Sequence, residues 1–237
     1  MTKTALVTGA SSGIGFEITK ELLTHHIQVT TIARRKKELN QLNKQNPLIR
    51  SLAIDLTKPK ELNTIKTPFK STKNIDYIIY CAGQASPFLP LTKININDLN
   101  QSLILDVQTP ILLLQKLYKH LNKTRLLFIG SLCAKTHRQN WGIYSIAKSA
   151  QMMLAQCLEK EEKAIQIGII YPGAVSTAIY NKAVSQSPKT FPDQPIYQAF
   201  INNNTVKTAS QAAKECVSFL LNSSDKQFNK SVYQDIQ

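Results

Sequence analysis

The chain has 237 residues, 43% of them hydrophobic, which suits one α/β domain with a substantial core. No run approaches 18 uninterrupted apolar residues and the N-terminus enters a strand at once, so a cytoplasmic protein without a membrane span or signal region is expected. The net charge is +14, but the lysines are scattered; Cys81, Cys133, Cys157 and Cys216 show no Cys-x-x-Cys spacing, and the four histidines form no cluster with them. These features predict a solvated basic surface and reduced thiols, with no nucleic-acid partner and no metal.

Ala5-Leu6-Val7 reads as a first strand, and Ile14, Ile18 and Leu22 then recur at the spacing of one helix face. Between them lies Thr8-Gly9-Ala10-Ser11-Ser12-Gly13-Ile14-Gly15. Glycines there allow positive φ and close backbone approach to a ligand. The helix start offers free N–H groups to a phosphate. Ile27 to Ile32 is β-branched and reads as a second strand, ending in Ala33-Arg34-Arg35. Leu39 and Leu42 mark a helix, and Leu48 to Ile54 a third strand ending at Asp55. Glu61 to Phe69 is a weak helix, and Ile75 to Tyr80 a fourth strand running into Cys81-Ala82-Gly83. After a loop over 84–96, a long helix spans Asp98 to Leu121, interrupted by Pro110. Arg125 to Ile129 is a fifth strand ending at Ser131. A helix starting near Gly142 carries Tyr144 and Lys148, and Ile165 to Tyr171 is a sixth strand before Pro172-Gly173. Residues 176–207 read as irregular, a final helix covers Ser210 to Leu221, and Ser231 to Ile236 forms an edge strand.

This alternation predicts a doubly wound, mostly parallel seven-stranded sheet of Rossmann type, with helices on both faces and residues 1–237 in a single domain. Ligands on such sheets bind at the carboxyl ends of the strands. Gly9, Arg34, Asp55, Gly83, Ser131 and Pro172 all fall there. Tyr144 and Lys148 are four apart and share a helix face. An ammonium near a phenol favours its anion, which brings it into range for proton exchange with an alcohol or carbonyl.

Thr8-Gly9…Gly13-x-Gly15, Ala82-Gly83, Ser131, Tyr144-x-x-x-Lys148 and Pro172-Gly173-x-Val175-x-Thr177 occur in an order and spacing that resembles the short-chain dehydrogenase/reductase family. The resemblance covers nearly the whole chain, least over 178–237. It implies an oxidoreductase that moves a hydride between NADP(H) and a small carbonyl or alcohol, working as a homodimer or homotetramer. By analogy Tyr144 is the general acid and base, Ser131 binds the substrate oxygen, and Lys148 tunes Tyr144 and holds the ribose. Ser11, Ser12, Ile14, Leu56, Pro172, Gly173 and Val175 would line the cofactor, Asp55 would meet the adenine edge, and Thr177 the carboxamide.

NAD-specific sites place an acid at the end of the second strand. Here Ala33 stands there, and Arg34 follows, able to form paired bonds with a 2′-phosphate; Arg35 could stack on adenine or add charge. Two residues depart from the family pattern. Cys81 replaces a turn Asn, and Asp106 replaces a helix Asn of a proton relay. Pro110, four residues on, has no N–H for the Asp106 carbonyl. Asp106 near Lys148 would hold the ammonium and blunt its effect on Tyr144. These departures motivate an alternative, a cofactor-binding regulatory or scaffold protein with an impaired site. The 176–207 segment, read as the substrate loop, offers Ile179, Tyr180, Phe191, Tyr197 and Phe200, which suits an apolar or neutral carbonyl compound better than a polyanion.

Overall fold

The computed structural model describes residues 2–65, 69, 72–230, 234 and 235. The sheet runs β3-β2-β1-β4-β5-β6, with every described pairing parallel: β1 Thr4–Thr8, β2 Gln28–Ala33, β3 Ile49–Ala53, β4 Tyr77–Tyr80, β5 Thr124–Ile129 and β6 Ile165–Tyr171. Six strands of four to seven residues form the body of the sheet. Of the expected edge strand Ser231 to Ile236, only Gln234–Asp235 lie among the described residues, as a two-residue strand paired parallel with Ile170 and Tyr171.

Strand residues alternate between the two faces, as the pleat requires. Leu126 and Phe128 pack into one core layer, with Leu113, Leu117 and Ala155. Leu127 and Ile129 pack into the other, with Ile18, Leu22, Val217 and Leu220. Helices α4 (Thr109–Leu117) and α5 (Gly142–Glu161) cover the first face; α1 (Gly13–Thr24) and α8 (Ala209–Asn222) cover the second. Each fully buried aliphatic side chain contributes about 1.5–3 kcal/mol.

The chain winds outward from β1 to β3, then crosses back to β4 on the other side of β1. That reversal opens a crevice at the carboxyl ends of β1 and β4. Between α2 (Lys36–Gln45) and the next helix, the expected helix from Glu61 is a 3₁₀ segment, Pro59–Thr64; residues 66–68 of that expectation lie outside the described residues.

The long helix expected over Asp98 to Leu121 is four pieces. These are α3 (Ile96–Leu103), a π-helical turn at Ile104–Gln108, α4, and a 3₁₀ turn at Tyr118–His120. Pro110 explains the break, because it offers no N–H to the ladder. The backbone N–H of Thr109 reaches back to Ile104 instead, and the Tyr80 hydroxyl donates to the Leu105 carbonyl at 2.5 Å.

Residues 176–207 are not irregular. They carry α6 (Ala178–Val184), whose N-terminal N–H of Tyr180 donates to the Thr177 hydroxyl, and α7 (Gln194–Asn202), with Pro195 in its first turn. A further short helix, α9 (Asp225–Lys230), was invisible in the sequence because its six residues show no period. It is fixed from outside. Phe228 is fully buried against Gly168, where a Cβ would come within 2.9 Å of the ring. The Arg125 guanidinium lies 5.0 Å from the ring centroid and donates to Asp225 and to the Leu220 and Ser223 carbonyls.

Candidate active site

A cavity of about 590 Å³ opens at the carboxyl ends of the central strands. Its wall includes Gly9, Ser11, Ser12, Ile14, Gly15, Arg34, Arg35, Asp55, Leu56, Ala82, Gly83, Ser131, Tyr144, Lys148, Pro172, Gly173, Val175 and Thr177. Every sequence-predicted residue is on it except Gly13 and Asp106, and both adjoin it. A Cβ on Gly13 would lie 3.5 Å from the Thr177 methyl, and Asp106 is bonded to Lys148.

The glycine turn is tight for a specific reason. Gly9 and Gly13 have φ of +69° and +58°. A Cβ on Gly9 would sit 2.9 Å from Ala82 Cα, and one on Gly15 would sit 2.6 Å from the Gly9 carbonyl oxygen. The Thr8 hydroxyl accepts from the N–H groups of Cys81 (3.0 Å) and Ala82 (3.1 Å), locking β4 to this turn. The Cys81 side chain is therefore not needed to hold the turn. Burial pushes its thiol up to about 12, so it is a neutral filler. Ser12 precedes α1 without capping it, which leaves the helix's first N–H groups open to an anion. Gly15→Ala is expected to displace the turn, lowering thermal stability by about 1–3 kcal/mol and removing dinucleotide binding. Unchanged melting and dinucleotide titration would refute this account of the turn.

Two arginines end β2. Arg35 donates to the Ser11 hydroxyl through Nε (3.1 Å) and Nη2 (3.0 Å), tying β2 to the glycine turn, while Arg34 lines the same end of the cavity. The Asp55 Oδ1 accepts from the N–H (3.0 Å) and hydroxyl (2.7 Å) of Thr57, so this carboxylate braces its own turn.

At the other end stand Ser131, Tyr144 and Lys148. Ser131 lies two residues past the end of β5 and accepts from the Cys133 N–H at 3.2 Å. Tyr144 sits in the first turn of α5 with the Trp141 ring stacked on it, 4.5 Å between centroids and 13° between planes. Burial holds the Tyr144 phenol well above its ordinary value. Cys133, Asp106 and Cys81 also raise it, and Ser131, which hydrogen-bonds it, works the other way. The sequence predicts that Lys148 draws this phenol down; in the structure the ammonium is engaged elsewhere. Its Nζ donates to Asp106 Oδ1 at 2.9 Å, to Gln151 Oε1 at 3.0 Å and to the Ile129 carbonyl at 3.5 Å. Gln151 Nε2 donates to the same Asp106 oxygen at 3.0 Å, closing a three-membered network that is almost wholly buried.

Sequence reasoning missed Gln151, Trp141, Arg138 and Cys133. Gln151 was findable, because it lies three residues after Lys148 on the same helix face. The others sit in the β5–α5 loop, where no period marks them.

Chain order, parallel crossovers, the glycine turn and the Ser131–Tyr144–Lys148 wall bring the sequence-predicted residues together at one crevice. The chain belongs to the short chain dehydrogenase family, which matches over residues 3–188. Members act on small molecules with a nicotinamide cofactor. It is 30% identical over 244 residues to the NADPH-dependent 1-acyldihydroxyacetone phosphate reductase of Saccharomyces cerevisiae, covering 94% of this chain and 80% of that protein. The KRED1-Pglu enzyme has the same fold, with a TM-score of 0.88 at 21% identity over 96% of this chain and 98% of that one. The L-sorbose reductase of Gluconobacter frateurii, solved with NADPH and L-sorbose, gives 0.78 at 18% identity over 98% and 92%. The residues present fit a dinucleotide. Gly9 and Gly15 have no room for a side chain, Gly13 holds a positive φ, and the first turn of α1 is uncapped.

Proposed function

We propose that the protein is an NADP(H)-dependent carbonyl reductase in which Tyr144 exchanges the proton. The observation that carries this reading is one continuous cavity joining the open glycine turn to the Ser131–Tyr144 wall. Gly9, Ser11, Ser12, Ile14 and Gly15 would hold the pyrophosphate, Arg34 and Arg35 the 2′-phosphate, Asp55 and Leu56 the adenine, Lys148 the ribose, and Val175 and Thr177 the carboxamide. When bound, the reduced cofactor supplies a hydride to the carbonyl carbon.

The chain's own residues do the rest. Ser131 donates to the carbonyl oxygen and fixes its position. The Tyr144 O–H then gives its proton to that oxygen as the carbon–oxygen π pair becomes the new O–H bond, and the phenol is reprotonated from solvent. Burial holds the Tyr144 phenol well above its ordinary value, so near neutral pH it is in the proton-donating form that the reductive step uses. Asp106 and Gln151 orient the Lys148 ammonium.

A panel of ketones, aldehydes and quinones followed by loss of reduced nicotinamide absorbance tests this reading. Turnover with at least one class is expected; tight NADPH binding without turnover on any would favour the regulatory alternative. NADPH is expected to bind more tightly than NADH. Arg34→Ala and Arg35→Ala should each weaken NADPH selectively by about 1–3 kcal/mol, with Arg35→Ala also freeing Ser11. Equal affinity for the two nucleotides in the unmutated protein would remove the basis for the 2′-phosphate assignment.

A further inference from the structure

We propose that the substrate carries an anionic group, a carboxylate or phosphate monoester, a few bonds from its carbonyl, and that Arg138 receives it. This rests on the reductase reading above and narrows it to a substrate class.

Arg138 lies on the loop between β5 and α5, which begins at Ser131 and ends at Trp141. The loop is fixed in place. The Gln139 N–H donates to Asp193 at 3.1 Å, the Asn140 amide donates to the Thr190 carbonyl at 2.9 Å, and the Trp141 N–H donates to the Arg138 carbonyl at 3.1 Å. Arg138 itself is half-buried and lines the cavity. Its Nε is buried without a hydrogen-bond partner, and no carboxylate among the described residues pairs with it within 4.0 Å. The guanidinium also hydrogen-bonds the Tyr197 hydroxyl, a phenol that burial and Cys133 push up and Arg138 pulls back, so Nε is its unmatched donor. That hydroxyl lies 3.8 Å from Cys133 Sγ, and the Cys133 N–H is bonded to Ser131. The guanidinium is thus two side chains from the residue that would hold the reacting oxygen.

The charges of the wall point the same way. Among its described residues Asp55 is the one acid, at the far end and engaged with Thr57. Lys148 is paired with Asp106, and Arg34 and Arg35 stand at the glycine turn. Arg138, with the exposed Lys182, leaves the substrate end cationic. A half-buried guanidinium with an unmatched donor is completed by an oxyanion, which its planar fork can grip through two parallel bonds. Ile179, Tyr180 and Phe200 line the same end, where an apolar chain on the other side of the carbonyl would pack. The expectation of a neutral substrate from the loop's composition overlooked this arginine, because it lies in a different loop.

Calorimetric titration tests the inference without turnover, using protein alone and protein saturated with NADP⁺. The probes are 4-oxodecanoate, its methyl ester, and the phosphate monoester of a hydroxymethyl ketone of similar length. At least one anion is expected to bind about tenfold or more tightly than the ester, and to weaken as salt rises. Which anion binds tighter distinguishes a carboxylate site from a phosphate site. Arg138→Leu should abolish that preference while leaving the ester unchanged, and Arg138→Lys should retain part of it. Equal binding of acids and ester by the unmutated protein overturns the proposal, as does an Arg138→Leu protein that loses all three ligands alike, which would make Arg138 a brace for Tyr197. Failure to reduce any carbonyl compound would instead count against the reductase reading, and the binding result stands apart from it.

Discussion

Tyr144→Phe is expected to lower turnover by about 10²–10⁴-fold while leaving nucleotide affinity close to unchanged. The ring position is set by the face-on Trp141 contact, which a phenylalanine keeps. What disappears is the O–H. No neighbouring acid stands ready to replace it: burial pushes the Cys81 thiol up to about 12, and it is further occupied in packing beneath the glycine turn. Because the phenol is held above its ordinary value, the unmutated enzyme should keep its reductive rate through neutral pH into the alkaline range. The oxidative rate, which needs the phenolate, should still be rising there. A Tyr144→Phe protein that reduces its substrate at near-normal rate would overturn the assignment.

Much of the candidate site is legible in the sequence. Glycines at positive φ, a serine closing a strand and a Tyr–Lys pair on one helix face are local patterns, and local patterns survive in sequence. The alternation of strands with helices likewise gives the parallel sheet and hence the crevice. What was not legible depends on contacts between distant segments. The α9 helix exists because Phe228 finds Gly168, some sixty residues back in the chain. The 176–207 segment read as irregular because Pro188, Pro192 and Pro195 look like breakers. Pro195 in fact starts α7, a position where its missing N–H costs nothing. Asp55 lines the cavity as expected, yet its carboxylate faces Thr57, a choice no spacing could reveal. Of the two arginines after β2, Arg35 is the one that reaches Ser11, a contact that no spacing reveals.

The Lys148–Asp106 pair gives the second large effect. Both side chains are buried, 5% and 3% exposed. Removing one partner of a buried pair leaves a charge with neither water nor counter-ion, which typically costs about 3–5 kcal/mol. Lys148→Met should therefore depress the melting temperature by roughly ten degrees, on top of losing turnover. The Lys148→Met, Asp106→Asn double variant should recover most of the melting temperature and none of the turnover. That outcome separates the electrostatic role of the lysine from its role toward substrate and ribose. Asp106→Asn alone should stay folded and active, since an amide oxygen can still accept from Lys148 and the π-turn is imposed by Pro110 whatever side chain precedes it. Its signature lies in the pH dependence. The Asp106 carboxylate is one of the groups that raise the Tyr144 phenol, so removing its charge lowers the pH at which the phenol ionises. The alkaline fall of the reductive rate and the rise of the oxidative rate should both move to lower pH. Superimposable profiles for the variant and the unmutated enzyme would show that the Asp106 charge does not reach Tyr144, and would leave the pair a purely structural one.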